Sequence, residues 1–191
     1  MSKKPDIKTR RKAEVSPENS IKRRRRRLID KRDIKNFIVR LVGLAAMIYV
    51  LFFLLFRIIP VPNDDMKPTL RSRDLQLVYR MPSTLWNNDI ICYEKDSLTR
   101  TGRIVARPGD TVEITENSTL RVNNSEVYEG DIYYSTPAYD NDIQYPLTLA
   151  DDEYFILSDF REGARDSRQF GPVKKDEIIG KVITVLRRSG L

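Results

Sequence analysis

The sequence has no histidine and only one cysteine. The missing histidine excludes a Ser-His-Asp triad and a Cys-His pair, and it removes the commonest metal ligand. The single cysteine, Cys92, excludes an internal disulfide. Because no histidine can lower the pKa of its thiol, we interpret Cys92 as a small hydrophobic strand residue rather than a nucleophile. The chain also lacks a P-loop, a metal-ligand spacing and an internal repeat, so we predict no metal and no cofactor.

Charge is distributed unevenly along the chain. The whole sequence carries a formal net charge of +7. Residues 1–36 contain 15 Lys/Arg against 5 Asp/Glu, a net +10, so the remaining 155 residues sum to −3. The basic pI therefore belongs to a tail and does not by itself indicate nucleic-acid binding. We predict no nucleic-acid partner.

Residues 1–36 are polar, with Lys22 and the run Arg23 to Arg27 at their centre. Such a segment buries too little apolar surface to fold alone, so we predict a disordered tail. The basic run also suits contact with anionic lipid, at about 1 kcal/mol per basic residue near the surface. Nucleic-acid binding by the arginine run is the alternative, but a neighbouring membrane segment explains the charge more simply.

An uninterrupted apolar run extends from Leu41 to Phe56. With its flanks it covers 37–59, and only Arg40 and Arg57 interrupt it, near the ends where long side chains can snorkel. At about 1.5 Å per residue the longer span reaches roughly 34 Å, enough to cross the hydrocarbon core. No A-x-A cleavage pattern follows the run, which disfavours a signal peptide. We therefore predict an uncleaved transmembrane anchor.

The charge asymmetry predicts the orientation of that anchor. Basic residues flank the cytoplasmic side of membrane segments, which places residues 1–36 in the cytoplasm. The domain 60–191 is then extracellular, held at the cell membrane by a single pass.

Beyond Pro62 the sequence changes to short runs rich in β-forming residues, separated by turn residues. No stretch there has a long 3.6-residue period, so we predict a mainly β domain with few or no helices. The candidate strands are Leu75 to Tyr79, Asp89 to Tyr93, Arg103 to Arg107, Thr111 to Thr115, Thr119 to Val122, Glu153 to Leu157 and Ile178 to Leu186. Asn123-Asn124-Ser125 predicts a hairpin turn, and 129–152, rich in Tyr, Asp and Pro, predicts a long surface excursion.

Four strings in this region form an ordered set. They are D-M-K-P-T-L at 65–70, N-D-I-I at 88–91, G-R-I-V-A-R-P-G-D at 102–110 and S-D-F-R-E-G-A-R-D-S-R-Q-F-G-P-V at 158–173. In the same order they resemble the S-M-x-P-T-L, G-D-I-V, K-R-I-V-G-x-P-G-D and G-D-N-x-x-x-S-x-D-S-R-x-F-G-x-V strings of bacterial type I signal peptidases (peptidase S26). The resemblance covers roughly residues 35–187. It implies a signal-peptidase-type β domain behind a single transmembrane helix.

The chemistry of that family requires groups that this chain does not have. A serine hydroxyl becomes nucleophilic only beside a neutral lysine amine, which needs an apolar pocket to lower its pKa. The resemblance places Asp65 at the serine position, Gly102 at the lysine position and Ala164 at the position of the hydroxyl that holds the lysine. Asn63, with Asp65, takes the oxyanion-hole position, where its amide can still donate a hydrogen bond. No catalytic group is therefore intact at the family positions.

In contrast to the catalytic groups, the residues that form the scaffold of the family's site are retained in this sequence. The resemblance implies a groove in which an extended peptide pairs with a strand edge and places small side chains in shallow pockets. We expect Asp159 and Asp166 to be structural carboxylates paired with Arg168 or Arg161. If the scaffold is intact, Asp65→Ser with Gly102→Lys and Ala164→Ser should recover some proteolysis. The retained groove and structural positions are Pro62, Met66, Pro68, Arg103, Gly109, Asp110, Asp159, Asp166, Ser167 and Arg168.

Other residues are poor substitutes for the missing groups. Asp64 and Asp65 are sequential and should face opposite ways, unlike the proton-sharing pair of aspartic proteases. Lys67 should likewise point away from its neighbours. The segment 129–152 matches no family string, so we expect it to reshape the groove or to carry a partner surface.

Signal-peptidase-like proteins with the same Asp and Gly replacements occur beside pilins and sortases in streptococci, and this sequence resembles them. The resemblance implies a non-catalytic role in pilus assembly, with a pilin precursor or the sortase as partner at the membrane. Two alternatives stay open: an active signal peptidase with a rearranged site that cleaves pre-pilins, and a vestigial membrane protein without an assembly partner.

Overall fold

The computed structural model describes residues 17–130, 132, 134–139 and 143–187. The chain divides into two compact units, Met1–Val50 and Leu51–Leu191. The second unit is almost entirely β, which confirms the predicted mainly β class. Among the described residues after position 60, the helices are one four-residue helix, α2 (Ser167–Phe170), and a 3₁₀ turn at Lys175–Glu177.

A long N-terminal helix, α1 (Pro17–Leu55), precedes the β structure. Its segment Lys31–Leu55 is long and apolar enough to cross a membrane, and its side chains are exposed. This supports a membrane anchor at the N-terminus, because an apolar surface of that size is stable only when something other than water covers it.

The helix differs from the sequence prediction at both ends. Residues 17–36, predicted to be disordered, are helical, because Lys, Arg and Glu are good helix formers that extend a helix already nucleated; residues 1–16 lie outside the described residues. The anchor predicted over 37–59 ends as a helix at Leu55. Residues 56–60 instead pair with a strand of the domain and bury Ile59.

Two antiparallel sheets make up the domain. Their strands are β1 (Phe56–Pro60), β2 (Leu75–Tyr79), β3 (Ile90–Lys95), β4 (Leu98–Ala106), β5 (Thr111–Ile114), β6 (Leu120–Val122), β7 (Ser125–Glu126), β8 (Leu147–Thr148), β9 (Glu153–Leu157), β10 (Val173–Lys174) and β11 (Ile178–Leu186). The larger sheet has the order β1-β2-β11-β3-β4-β9-β10 and the smaller sheet the order β7-β6-β5-β8.

The central strands β4 and β9 are buried on both faces. Val105, Phe155 and Leu157 pack with the smaller sheet, whereas Ile104 and Ile156 pack with a second cluster around Tyr93. A strand whose successive side chains are buried in two different cores appears in the sequence as a continuous apolar run. The hairpin predicted at Asn123 joins β6 to β7, with positive φ at Asn123 and Asn124.

The segment 129–152 is only partly the surface excursion that the sequence predicts. Thr136 and Leu149 are buried, and Leu147–Thr148 forms β8 against β5. Residues 131, 133 and 140–142 of this segment lie outside the described residues. Turn-forming composition did not reveal these contacts, because they depend on distant strands.

Candidate functional site

The loop that carries Asn63 and Asp65 is anchored by its apolar residues. Val61, Met66 and Leu70 are buried together against Ile90. The Leu70 N–H donates to the Met66 carbonyl at 2.8 Å, and the Val61 N–H donates to the Asp74 carbonyl at 2.8 Å. Burial of these residues fixes the backbone, so the polar residues between them are held in defined positions.

Asn63 and Asp65 bond to each other. The Asn63 side-chain N–H donates to Asp65 Oδ2 at 2.6 Å, and the Asp65 backbone N–H donates to Asn63 Oδ1 at 3.2 Å. The resemblance assigns these same two donors to an oxyanion hole. Both are engaged within the loop, so the Asn63 donor that the sequence predicts for a ligand already serves a carboxylate. Burial raises the pKa of Asp65, while the Asn63 hydrogen bond acts to lower it.

Asp64 has separate partners on the solvent side. It accepts from the Ser72 backbone N–H at 2.9 Å and pairs with Lys67 Nζ at 2.9 Å. These two interactions hold the pKa of Asp64 below its usual value. The two neighbouring carboxylates therefore do not share a proton, and the amine of Lys67 is committed to Asp64.

Gly102 lies where the family has its lysine, and its surroundings leave no room for one. A Cβ at Gly102 would stand 2.5 Å from Ile156 Cγ2, 3.3 Å from the Leu157 carbonyl oxygen and 3.4 Å from Tyr93 Cε1. The Tyr93 side chain is fully buried. Since Gly102 faces these groups directly, the lysine position is filled by packed side chains. Ala164 is also fully buried.

The retained motif residues bring the strings together around Asp159. Arg103 binds both oxygens of the Asp159 carboxylate, through Nε at 2.8 Å and Nη2 at 2.7 Å. Thr69 Oγ1 donates to the same carboxylate at 2.5 Å. The Phe160 N–H donates to the Asp65 carbonyl at 2.8 Å. The expectation that Asp159 pairs with Arg161 or Arg168 is wrong, because Arg103 reaches it across the β4–β9 pairing.

Asp166 and Arg168 form the buried pair expected from the sequence. Arg168 Nη2 lies 2.9 Å from Asp166 Oδ2, and both side chains are fully buried. Asp166 also accepts from the Ser158 backbone N–H and caps α2. Ser167 Oγ accepts from the Ile156 N–H at 3.0 Å. These contacts make the three residues structural: they fix the end of β9 beside the loop.

Other predicted motif residues lie at different places. Asp110 bonds to the Arg107 N–H and to Asn123 of the smaller sheet, next to Gly109, whose φ is +82°. Pro62 and Pro68 are exposed positions of the loop. Gly109 and Asp110 thus belong to a turn of the scaffold.

Sequence reasoning missed a second buried ion pair. Arg161, fully buried, binds both oxygens of Glu129 at 2.6 and 2.7 Å, and it donates to Thr136 Oγ1 and the Ser158 carbonyl. Arg168 donates to the Pro137 carbonyl and stacks over Tyr139. The two arginines therefore fasten the segment 129–139 to the loop after β9. The only available signal was a cluster of three arginines, Arg161, Arg165 and Arg168, in the last of the four strings.

The chemistry open to this arrangement is recognition by hydrogen bonds and charge. Residue 65 is a carboxylate without a described amine beside it, and residue 102 has no side chain. Within the ranges described, no three His, Cys, Asp or Glu residues lie together as a metal site would require. These two positions hold no groups that could carry out acyl transfer by a Ser/Lys pair.

Comparisons with known proteins agree with the sequence strings. The family profile "Signal peptidase, peptidase S26" matches residues 34–186. An "Inactive signal peptidase IA" of Staphylococcus aureus is 30% identical over 164 residues, covering 78% of this chain and 91% of that protein. A "Signal peptidase IB" of the same species is 26% identical over 174 residues, covering 80% and 88%.

A solved structure is also similar. It is the crystal structure of a signal peptidase I from Enterococcus faecalis V583, with 24% identity and a TM-score of 0.42. The match covers 55% of this chain and 100% of that one. At this score the likeness carries no weight of its own.

Proposed function

This chain belongs to the signal peptidase family, peptidase S26, and we propose that it serves sortase-dependent pilus assembly without cleaving peptide bonds. In this proposal it binds a segment of a pilin precursor, or of the sortase, at the outer face of the cell membrane. The binding surface is the peptide groove that the fold inherits. The anchor holds this groove at the membrane, with the basic tail in the cytoplasm.

The observation that carries the proposal is the packing around Gly102. A Cβ there would lie 2.5 Å from Ile156 Cγ2. The space that a side chain at residue 102 would need is therefore occupied by packed atoms. The Asp65 carboxylate accepts from the Asn63 side-chain N–H, and Asn63 Oδ1 accepts from the Asp65 backbone N–H, so both donors that an oxyanion would need are engaged. Both changes remove groups that hydrolysis by a Ser/Lys pair needs while leaving the surrounding fold in place, which favours a binding role.

Retained structure supports peptide binding. Strand β9 covers one edge of β4 from Arg103 to Ala106, but no strand among the described residues pairs with that edge over 98–102. An unpaired edge offers backbone donors and acceptors to an extended peptide. The Arg103–Asp159–Thr69 network keeps the loop of Asp65 next to this edge of the sheet.

Two likenesses support the choice of role. One relative carries the name "Inactive signal peptidase IA", so loss of hydrolysis has a precedent within the family. The Asp65 and Gly102 replacements resemble those of streptococcal proteins that accompany pilins and sortases. The candidate span Lys31–Leu55 supports placement at the membrane where pilins are joined.

Deletion of the gene tests the role directly. We expect the ladder of covalently joined pilins on a denaturing gel to disappear, and to return when the wild-type gene is supplied. A ladder that is unchanged in the deletion strain would remove the proposal. Cross-linking of the purified full chain to pilin or sortase then distinguishes a working assembly factor from a vestigial protein, which would capture neither.

The alternative is an active signal peptidase with a rearranged site. Its one favourable observation is a partly buried carboxylate, Asp65, whose pKa is raised by burial. It predicts cleavage of a pre-pilin in detergent that Asp65→Ala abolishes and Asp64→Ala preserves. No cleavage at any concentration of the full chain would exclude this alternative.

A further inference from the structure

A cavity opens where α1 passes into β1. Its volume is about 540 Å³, and all of its lining residues belong to the second unit of the chain. The lining residues are Phe52, Phe53, Phe56, Arg57, Ile58 and Arg80. None of them is a residue of the peptide groove, so this cavity is separate from the site described above.

The phenylalanines form an apolar wall of the cavity. The rings of Phe52 and Phe56 stack with their centroids 4.9 Å apart, and the Phe56 ring also contacts Tyr79, with the centroids 5.4 Å apart. Phe52 is 50% exposed and Phe53 is 70% exposed. Both belong to the segment Lys31–Leu55, which is long and apolar enough to cross a membrane. Exposed rings at the end of such a segment are stable when lipid covers them.

The two arginines form a polar wall of the same cavity. The Arg80 backbone N–H donates to the Leu55 carbonyl at 2.8 Å, and Arg57 is opposite Val78 in the β1–β2 pairing. Arg57 and Arg80 are therefore diagonal neighbours, about 7–8 Å apart. Both side chains are exposed, and neither forms an ion pair or a side-chain hydrogen bond with another described residue. Two guanidinium charges that no described carboxylate neutralises thus border one space.

The order of these two walls along the chain is the order of the parts of a phospholipid. Phe52 and Phe53 precede the end of α1 at Leu55, within the apolar segment, and Arg57 follows it at once. A membrane changes in the same sense, from acyl chains to phosphate groups, at the end of a spanning segment. The arginines are therefore placed at the level of the phosphates.

We propose that this cavity binds an anionic phospholipid of the membrane, with its phosphate on Arg57 and Arg80 and an acyl chain against the phenylalanines. Each guanidinium presents a planar fork of N–H donors that matches two phosphate oxygens. Two positive charges favour a lipid with a net negative charge over a zwitterionic lipid. A lipid bound here fastens β1 and the end of β2 to the headgroup layer, whether or not the groove binds a peptide.

Fluorescence quenching by brominated lipids tests which lipid occupies the cavity. The full chain has one tryptophan, Trp86, so Trp86→Phe with Phe53→Trp moves the fluorophore to the cavity wall. This protein is reconstituted in vesicles of phosphatidylcholine and phosphatidylglycerol, with bromine on the acyl chains of one lipid at a time. We expect phosphatidylglycerol to bind at least about fivefold more tightly than phosphatidylcholine, the factor that corresponds to one basic residue at an anionic membrane surface.

Variants assign the preference to the two arginines. Arg57→Gln and Arg80→Gln should each lower it, and the double variant should abolish it. Arg57→Lys with Arg80→Lys should retain part of it, because an ammonium group keeps the charge but not the fork of donors. Arg40→Gln is the matched control. Arg40 is also exposed on the same segment, but it lies roughly 22 Å along the helix from Leu55, so its loss should leave the preference unchanged.

A second measurement needs no fluorophore. Native mass spectrometry of the unaltered full chain, released from nanodiscs that contain equal amounts of the two lipids, should show phosphatidylglycerol retained in preference to phosphatidylcholine. The variant with both Arg57→Gln and Arg80→Gln should retain the two lipids equally.

Three results would overturn the lipid site. They are equal quenching by the two lipids, a preference that survives the double glutamine variant, and a preference that millimolar sodium phosphate or glycerol 3-phosphate abolishes. The last result would assign the arginines to a soluble anion, whereas we expect neither anion to displace the lipid. Because no groove residue is altered, each of these results leaves the peptide-binding proposal unaffected.

Discussion

Tyr93 stands over Gly102, with Cε1 of the ring 3.4 Å from the position that a Cβ of residue 102 would take. The two residues lie on the paired strands β3 and β4, and Ile156 of β9 closes the space from the other side at 2.5 Å. The lysine position of the family is therefore occupied by the core. A glycine there is required by packing, apart from any question of catalysis.

The triple replacement Asp65→Ser, Gly102→Lys and Ala164→Ser is expected to restore no proteolysis. The packing around Gly102 argues against the simpler expectation from sequence that an intact scaffold would accept it. Inserting a side chain at Gly102 should destabilise the chain by about 1–3 kcal/mol, as overpacking of a filled core usually does. Cleavage of a pre-pilin in detergent and thermal unfolding of the same preparation measure the two effects.

A control separates steric conflict from a general effect of replacing glycine. Gly102→Ala should lower the melting temperature, whereas Gly130→Ala should not, because the nearest atom to a Cβ at Gly130 is 3.9 Å away. Gly102→Ala should cost less in an Ile156→Ala background than in the wild type, because that background lacks the Cγ2 methyl group that the new Cβ would meet. Equal melting temperatures for Gly102→Ala and the wild type would contradict the packing argument.

Asp65→Asn is expected to make the chain more stable than the wild type at neutral pH. Burial raises the pKa of Asp65 above its usual 3.8, so the folded chain holds this proton to higher pH than the unfolded chain does. Ionisation of Asp65 therefore lowers the free energy of unfolding. This loss of stability develops as the pH rises through the pKa that Asp65 has in the folded state. Thermal unfolding of both proteins between pH 3 and pH 7 should show a difference that grows with pH.

Asp64→Asn provides a control of opposite sign in the neighbouring residue. The Ser72 N–H and Lys67 hold the pKa of Asp64 below its usual 3.8, so its ionised form stabilises the fold above that pH. The wild type should be more stable than Asp64→Asn at neutral pH, and the difference should vanish as the pH falls through the folded pKa. Matching pH profiles for the two variants would contradict at least one of the two assignments.

Glu129→Ala is expected to destabilise the domain strongly. It leaves the fully buried guanidinium of Arg161 without its carboxylate, and breaking one partner from a buried pair costs about 3–5 kcal/mol. Denaturant unfolding measures the loss. Proteolysis of the native chain should also accelerate within 129–139, because Arg161 fastens this segment.

A partly exposed pair of the same chemistry serves as the comparison. Glu113 and Arg121 lie 3.4 Å apart, with side chains 36% and 37% exposed. Glu113→Ala should cost only about 0.2–1 kcal/mol. A loss at Glu129 no larger than the loss at Glu113 would show that the buried pair does not organise the segment.

Cys92 is expected to resist alkylation in the folded chain. The side chain is fully buried, and burial raises the pKa of its thiol to about 11. At pH 8 the reaction with iodoacetamide should be more than about a hundredfold slower than in urea, since only the thiolate reacts. Rapid labelling without denaturant would show that β3 opens readily. Because the sequence has one cysteine, the labelled site is unambiguous.

Much of the fold was predictable from local patterns. The bounds of β2, β9 and β11 agree with the sequence prediction, because β-branched and aromatic runs between turn residues specify strands directly. Strand β1 was missed because Phe56–Pro60 continues an apolar run that resembles the anchor. The short strands β7, β8 and β10 were missed as well, apart from the hairpin turn before β7, because two-residue strands exist only by virtue of their partners.

The sequence by itself determined which groups the site lacks: Asp65, Gly102 and Ala164 stand where the family has a serine, a lysine and a serine. It also predicted the N-terminal helix of membrane-spanning length and the β class. Only the tertiary structure decided what replaced the missing groups, namely the packing of Tyr93 and Ile156 against Gly102 and the hydrogen bonds between Asn63 and Asp65. The reason is physical. Composition and spacing fix local geometry, whereas the packing and charge around a residue come from strands far away in the chain, which meet only when the sheet has formed.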